Sequence, residues 1–313
     1  MPAIPLAHVS WAIPDNADRP ACDAFFIDVF GAETAHEMLV TPETADMGFD
    51  REERLMMIGD TMIIPIAPAG AGAKDGAPIG DMLRRSGGQD RWLGLALKVA
   101  SLAEADPWFR ARGFKLHYDP GMESYYFLVG RRQAMGVRLE ILVQDLPDDP
   151  RNDPAWTPVK WRDEHPLGIE GLQSIGVTAP SAQDARNLFA TRLEWPELGT
   201  RKLAGEGADC TAFHMGDTVI EATVPASDDS PLGRHLREIQ GIQCLTFKVK
   251  DATAAAGYLR GRGLPLIGEV DDRFAIAPEA AFGRTIWFTD KVPAGYPPVG
   301  SKLGEPARFP VTA

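Results

Sequence analysis

Cysteine is scarce in this chain of 313 residues, which has only Cys22, Cys210 and Cys244. Three thiols at irregular spacing exclude a disulfide framework and a paired zinc-binding motif, and they fit a reducing compartment. Positive charge is short as well: 32 Lys and Arg stand against 44 Asp and Glu, for a net charge of −12. Such a surface repels nucleic acid and anionic membranes, so neither is expected as a partner. Long apolar runs are missing. No stretch nears the ~18 apolar residues of a spanning helix, and the opening MPAIPLAHVSWAI has neither a basic leader nor a long apolar segment. The expectation is a cytoplasmic protein with a small-molecule substrate; a homodimer, with a site shared between subunits, stays open.

What the sequence does contain is repetition. GDTMIIPIAP (59–68) returns as GDTVIEATVP (216–225), with Ile64 replaced by Glu221. LALKVASLAEADPWFRARGFKL (95–116) returns without a gap as LTFKVKDATAAAGYLRGRGLPL (245–266), and PIGDMLRR (78–85) as PLGRHLRE (231–238). Three echoes in the same order mean a duplicated half.

Each half divides again, because HVSWAIPD, GLALKVAS, SIGVTAPS and CLTFKVKD all read as an alternating strand leading through a turn into a helix. In the first, Val9, Trp11 and Ile13 share one face, and His8, Ser10 and Ala12 the other. The helix after it, RPACDAFFIDVF, carries Phe25, Phe26, Val29 and Phe30 at helical spacing and stops at Gly31. Each unit closes with a three-stranded meander; Gly59 and Asp60 suit a two-residue hairpin turn. The fold class is therefore α+β, four βαβββ modules paired into two cup-shaped domains. The first domain spans 1–144, with modules at about 5–68 and 92–144. A proline-rich linker spans 145–168. The second domain spans 169–290, with modules at about 169–225 and 241–290, and 291–313 reads as an extended tail.

This arrangement resembles the vicinal oxygen chelate superfamily, which includes glyoxalase I, methylmalonyl-CoA epimerase, ring-cleaving extradiol dioxygenases and bleomycin-resistance-type proteins. The local matches are HVSWAIPD for a first strand, GVRLEI (136–141) for a last strand, and 218–249 for the junction between two modules. In that family, ligands to a divalent metal come from the start of first strands and the middle of last strands. The resemblance puts His8, Gly94, Ser174 and Cys244 at the first-strand positions, with Leu172 as an alternative to Ser174. It puts Ile64, Glu140, Glu221 and Trp287 at the last-strand positions.

The resemblance implies a site in the first cup, with His8 as metal ligand or base and Glu140 as metal ligand or acid–base partner. The ion would be iron, manganese, nickel or zinc, with His117 or a tyrosine of HYDPGMESYY completing the set. A hydrogen-bonded His–Glu pair without metal is the plain alternative, and Arg138, two residues before Glu140, offers an anion-binding or acid–base site. In the second half, a turn at Gly216–Asp217 puts His214 and Glu221 on one face, as a general-base pair or as a structural carboxylate bonded to Cys244 or Thr246. Ser174, Cys244 and Trp287 stand where the ring-cleaving dioxygenases carry two histidines and a glutamate. Trp287 would plug that cup or form a stacking wall, while Leu55, Met57, Met62 and Ile64 would make one wall of the first cup apolar. Lys98 and Lys248 read as solvated or snorkelling side chains. The functional expectation is a lyase or isomerase acting on a hydrophobic or aromatic metabolite. The rival is a metal-free binding or resistance-type protein, and a ring-cleaving dioxygenase ranks third.

Overall fold

In the computed structural model, which describes residues 4–41, 51–68, 91–119, 121–143, 145–300 and 305–309, the repeats appear as two sheets of eight strands. The first half runs β1 (Leu6–Ala12), α1 (Arg19–Phe30), β2 (Glu33–Met38), β3 (Arg51–Ile58), β4 (Thr61–Pro68), β5 (Arg91–Lys98), α2 (Leu102–Ala111), β6 (Leu116–His117), β7 (Tyr126–Val129) and β8 (Arg138–Leu142). After a short helix α3 (Val159–Asp163), the second half repeats the pattern: β9 (Ile169–Thr178), α4 (Ala182–Ala185), β10 (Glu197–Leu203), β11 (Ala208–His214) and β12 (Val219–Pro225). It continues through α5 (Pro231–Glu238), β13 (Ile242–Val249), α6 (Ala252–Gly261), β14 (Leu266–Glu269), β15 (Arg273–Ile276) and β16 (Thr285–Thr289). The strand orders are β2-β3-β4-β1-β5-β8-β7-β6 and β10-β11-β12-β9-β13-β16-β15-β14. Raising every label of the first by eight gives the second.

Local chemistry explains the module boundaries. Pro20 sits in the first turn of α1, where its missing N–H costs nothing, and Gly31 ends the helix in the left-handed region at φ 63°. Ser101 and Asp251, equivalent in the repeat, each cap a following helix with a side-chain oxygen. Within each sheet the first strand of one module pairs antiparallel with the first strand of the next and parallel with its own last strand. The echo PIGDMLRR lies outside the described residues; its counterpart PLGRHLRE is α5.

One apolar core runs through both halves, from Ile4 to Phe309. Trp11 on β1 meets Phe26 edge-on at 4.9 Å, and Phe30 on α1 reaches Phe247 and Phe288 of the second sheet at 6.1 and 5.9 Å. The first module packs against the fourth, where Arg284 donates to the Ala12 carbonyl at 2.5 Å and lies over the Trp11 ring. The second packs against the third, where Arg192 donates to the Arg112 carbonyl at 2.9 Å. Lys98 and Lys248 differ from the expectation: both are buried, Lys98 paired with Asp145 and Lys248 with Glu170. A charge placed this deep is tolerated because a carboxylate meets it.

The GDT echo has its reason at the junction of the halves. Asp60, in the β3–β4 turn, accepts hydrogen bonds from Leu172 N and Gly300 N, each at 2.8 Å, and from the Thr61 hydroxyl at 2.9 Å. Asp217, in the β11–β12 turn, accepts one from Leu6 N at 3.0 Å. Each hairpin therefore caps the first strand of the other sheet. Gly171 and Gly216 must lack side chains here, since a β-carbon on the first would overlap the Asp60 carboxylate and on the second the Ile4 backbone. Replacing Asp60 with Ala should destabilise the protein by about 2–4 kcal/mol, because two backbone donors lose their acceptor, and Asp217→Ala by about 1–2 kcal/mol. Urea denaturation checks both values, and equal losses at the two sites would contradict the assignment.

Candidate active site

The concave face of the first sheet carries His8 and Glu140. His8 pairs with Ala96 across β1–β5, and Ala96 pairs with Glu140 across β5–β8. The two therefore share a face one strand apart, with ~10 Å between their α-carbons for two strand spacings. The floor around Glu140 is a small apolar cluster of Ala7, Ala96, Tyr126, Leu128 and Leu142. Leu55, Met57, Met62 and Ile64 are all buried, with Ile64 beside Ser10.

These two side chains sit in different electrostatic settings. His8 is buried, and its Nδ1 has no hydrogen-bond partner among the described residues. Burial first, and then the nearby Arg151 guanidinium, hold its pKa down to about 3, so the imidazole is neutral at ordinary pH. Arg151 is itself buried against Asp149 at 2.8 Å and donates to the carbonyls of Ala7 and Asp60 at 2.6 and 3.3 Å. Glu140 is partly exposed, and no hydrogen bond from a described residue reaches its carboxylate. Desolvation pushes its pKa up to about 7, with Glu53 and Asp119 raising it further and Arg51 and Arg138 opposing. Around it, Arg51 pairs with Glu53, and the Tyr126 hydroxyl donates to Asp119 at 2.7 Å. His117 is exposed and lies 3.1 Å from the other oxygen of Asp119.

The second sheet treats its glutamate differently. His214 pairs with Val219 and Ala212 with Glu221, so His214 and Glu221 do share a face. Glu221 is buried, and its Oε1 accepts from Arg201 and from the Tyr296 hydroxyl, both at 2.6 Å. Its partners are these two residues; Cys244 and Thr246, expected from the sequence, do not hold it. Arg273 approaches Oε2 at 3.8 Å, lies 4.6 Å over the Trp287 ring and is paired with Glu206. Tyr296 arrives from the chain after the last strand. None of Arg201, Arg273 and Tyr296 was legible beforehand: the two arginines sit in charged stretches, and Tyr296 in a run of Pro and Gly. A lone aromatic in such a run was the only available signal.

The donors at the family positions do not fit a resident divalent ion in either cup. In the first, Ile64 offers no donor, and Gly94 can carry no side chain because a β-carbon there would overlap the Arg138 carbonyl oxygen. In the second, Glu221 is already taken by a guanidinium and a phenol, and burial raises the Cys244 thiol well above its ordinary range, which keeps it protonated. Among the described residues no three His, Cys, Asp or Glu side chains gather into a metal-binding group. A groove of about 450 Å³ on the outer side of α1, lined by Arg19, Asp23, Glu52 and Arg54, belongs to neither cup, and Arg19 there already pairs with Glu52 at 2.9 Å.

Comparison with known proteins places the architecture. No family model and no curated protein matches the chain. A triple mutant of 4-hydroxymandelate synthase from Streptomyces coelicolor superposes with a TM-score of 0.66 at 14% identity, over 92% of each chain. Methylmalonyl-CoA epimerase from Mycobacterium tuberculosis matches 40% of this chain and 90% of its own, at 21% identity and a TM-score of 0.38. The first likeness shows a shared fold.

Glu221→Gln should lower stability by about 1–3 kcal/mol, since it weakens the buried acceptor of a guanidinium and a phenol. Tyr296→Phe should cost less, because Arg201 remains bonded. Thermal denaturation of both variants tests this, and a harmless Glu221→Gln would mean that the carboxylate is not the centre of the network.

Proposed function

Because this chain has the vicinal oxygen chelate fold, we propose that it is a small-molecule enzyme of isomerase or lyase type, working through Glu140 in the concave face of the first sheet on a hydrophobic or aromatic metabolite. The observation that carries this reading is the contrast between two inward carboxylates at family ligand positions. Glu221 is tied to two partners, whereas Glu140 is held by none of the described residues and remains accessible.

An untied carboxylate in an apolar floor suits proton transfer at carbon. Glu140 would take a proton from a carbon next to a carbonyl, the C–H electron pair moving onto the carbonyl oxygen as an enolate. Return of the proton to the other face, or to a neighbouring atom, completes an isomerisation; departure of a β-substituent completes a lyase reaction. Arg138 and Arg51, the cations that act on Glu140, supply positive charge for the oxyanion. Neutral His8, whose Nδ1 has no partner among the described residues, would orient a polar group of the substrate. The donors do not suit a conventional ring-cleaving dioxygenase, because Ser174, Cys244 and Trp287 stand where its two histidines and glutamate belong. A metal-free binding protein is the rival reading, and the depleted ligand set favours it.

The two readings differ in deuterium oxide. Incubated with a panel of aromatic and branched carbonyl compounds bearing an acidic C–H bond, the protein should catalyse washout of that proton, followed by proton NMR. The rate should rise with pH along a limb near 7 and fall at least about a hundredfold in Glu140→Gln. Binding without washout in any member would favour the binding protein, and equal washout by Glu140→Gln would move the chemistry elsewhere.

The same residue has a signature in stability. Its folded pKa of about 7 lies above the ordinary 4.5, so below pH 4.5 both folded and unfolded forms are protonated and nothing is lost. As pH rises from there through about 7, the unfolded chain ionises first and stability falls, by at most about 3 kcal/mol. Glu140→Gln should remove this decline, which denaturation at pH 5 and pH 8 measures.

A further inference from the structure

The row of side chains that carries Glu140 continues to the open edge of the first sheet. Ala96, Glu140, Leu128 and His117 are successive register partners across β5, β8, β7 and β6, so His117 shares the face of Glu140 two strands away. Tyr126 lies two residues before Leu128 on β7, on the same face, and packs in one cluster with Ala96 and Leu142. That makes it a diagonal neighbour of Glu140, ~7 Å between α-carbons, a gap that an aromatic side chain spans. From there a chain of bonded side chains runs outward. The Tyr126 hydroxyl donates to Asp119 Oδ2 at 2.7 Å, and Asp119 Oδ1 lies 3.1 Å from His117 Nε2. Exposure grows along the chain: Tyr126 is 8% exposed, the Asp119 side chain 27% and the His117 side chain 70%.

A base that takes a proton from carbon must either return it or exchange it with solvent. A substrate seated over Glu140 stands between that carboxyl group and the water of the cup, so exchange then needs a route through the wall. The three side chains supply the alternation of acceptor and donor that such a route requires. A phenol accepts one proton as it gives up another and so stays neutral. Burial first, then the bond to Asp119 and the fields of Asp119 and Glu140, hold the Tyr126 hydroxyl above its ordinary range and keep it protonated. An exposed His–Asp pair by itself is an ordinary surface contact. Here its carboxylate is shared with a buried phenol that senses Glu140, and this links the surface to the base.

We infer that Tyr126, Asp119 and His117 form a proton path joining Glu140 to solvent, an inference that rests on Glu140 being the base proposed above. Glu140, having taken the C–H proton, passes it to the Tyr126 oxygen as the Tyr126 O–H proton moves to Asp119 Oδ2. The Asp119 carboxyl group turns about its Cβ–Cγ bond and hands that proton to neutral His117 at Nε2, and the exposed ring releases it to water. Each group ends as it began, with Glu140 and Asp119 ionised and Tyr126 and His117 neutral. Run inward, the same steps deliver a solvent proton to Glu140. The three residues act through Glu140 and not on the substrate.

The test uses the full chain in deuterium oxide, with the panel of aromatic and branched carbonyl compounds as probes, phenylacetone among them, and proton NMR to follow washout. His117→Ala, at an exposed position where the fold tolerates change, should slow washout at least about tenfold, and so should Tyr126→Phe. Added imidazole at tens of millimolar should restore most of the rate to His117→Ala, by taking the place of the missing ring, and none to Tyr126→Phe, whose gap is buried. Glu140→Gln with the same imidazole gives the background rate to subtract. A role in stability alone would not be rescued in this way. If the wild type exchanges a probe and His117→Ala does so within about twofold of it, or is slow and gains nothing from imidazole, the path is overturned and Glu140 stands as the base. If the wild type exchanges none of the panel, the reading of Glu140 falls and the path with it.

Discussion

The structure depends on a reciprocal bond: the aspartate of each GDT hairpin accepts the backbone N–H of a residue near the start of the other sheet's central strand. β1 and β9 each stand between the two modules of their sheet, so fixing their starts fixes where each cup faces. Backbone donors at strand starts are otherwise unsatisfied, and a carboxylate is a stronger acceptor than a carbonyl. Arg151 reinforces the junction by binding both the Asp60 carbonyl and the Ala7 carbonyl. One junction thus sets the register of His8 on one side and of Ser174 on the other.

From that common frame the two cups have diverged in how they handle buried polarity. The first keeps a neutral histidine and an untied carboxylate over an apolar floor, an arrangement costly to folding and suited to moving protons. The second spends its carboxylate on a guanidinium and a phenol, and its Ser174 and Thr246 hydroxyls and Trp287 indole have no hydrogen-bond partner among the described residues. Duplication supplied two copies of one scaffold, and the glutamates on the inner rows now stand in opposite settings, one bonded to Arg201 and Tyr296 and one without a hydrogen bond from a described residue.

Much of this was legible in the sequence because it is periodic. The offset between GDTMIIPIAP and GDTVIEATVP gave the equivalence of β4 and β12, and alternation placed Glu140 and Arg138 on one face, as the parallel pairing of Gly94 with Arg138 and Ala96 with Glu140 requires. The His214–Val219 and Ala212–Glu221 pairs follow from a two-residue turn alone. What was illegible depends on contacts between distant segments. Arg201 and Tyr296 meet Glu221 from 20 and 75 residues away, and neither belongs to the repeat. Arg151 looked like part of a charged, proline-rich linker, and only the folded chain brings it beside His8. The lysines misled for a related reason: a strand end usually reaches solvent, but here Asp145 and Glu170 fold over it.

Gly94 carries a consequence for the history of such a protein. Its α-carbon lies so close to β8 that any side chain would strike the Arg138 carbonyl, and a backbone atom cannot step aside as a flexible side chain can. A lineage that has arrived at this strand spacing cannot regain a ligand at position 94 by one substitution. The neighbouring strand must move first, and that movement would disturb the floor beneath Glu140 before any benefit from a metal accrued. Selection would meet a valley in that direction, so position 94 is closed to a side-chain ligand for as long as β5 and β8 keep this spacing.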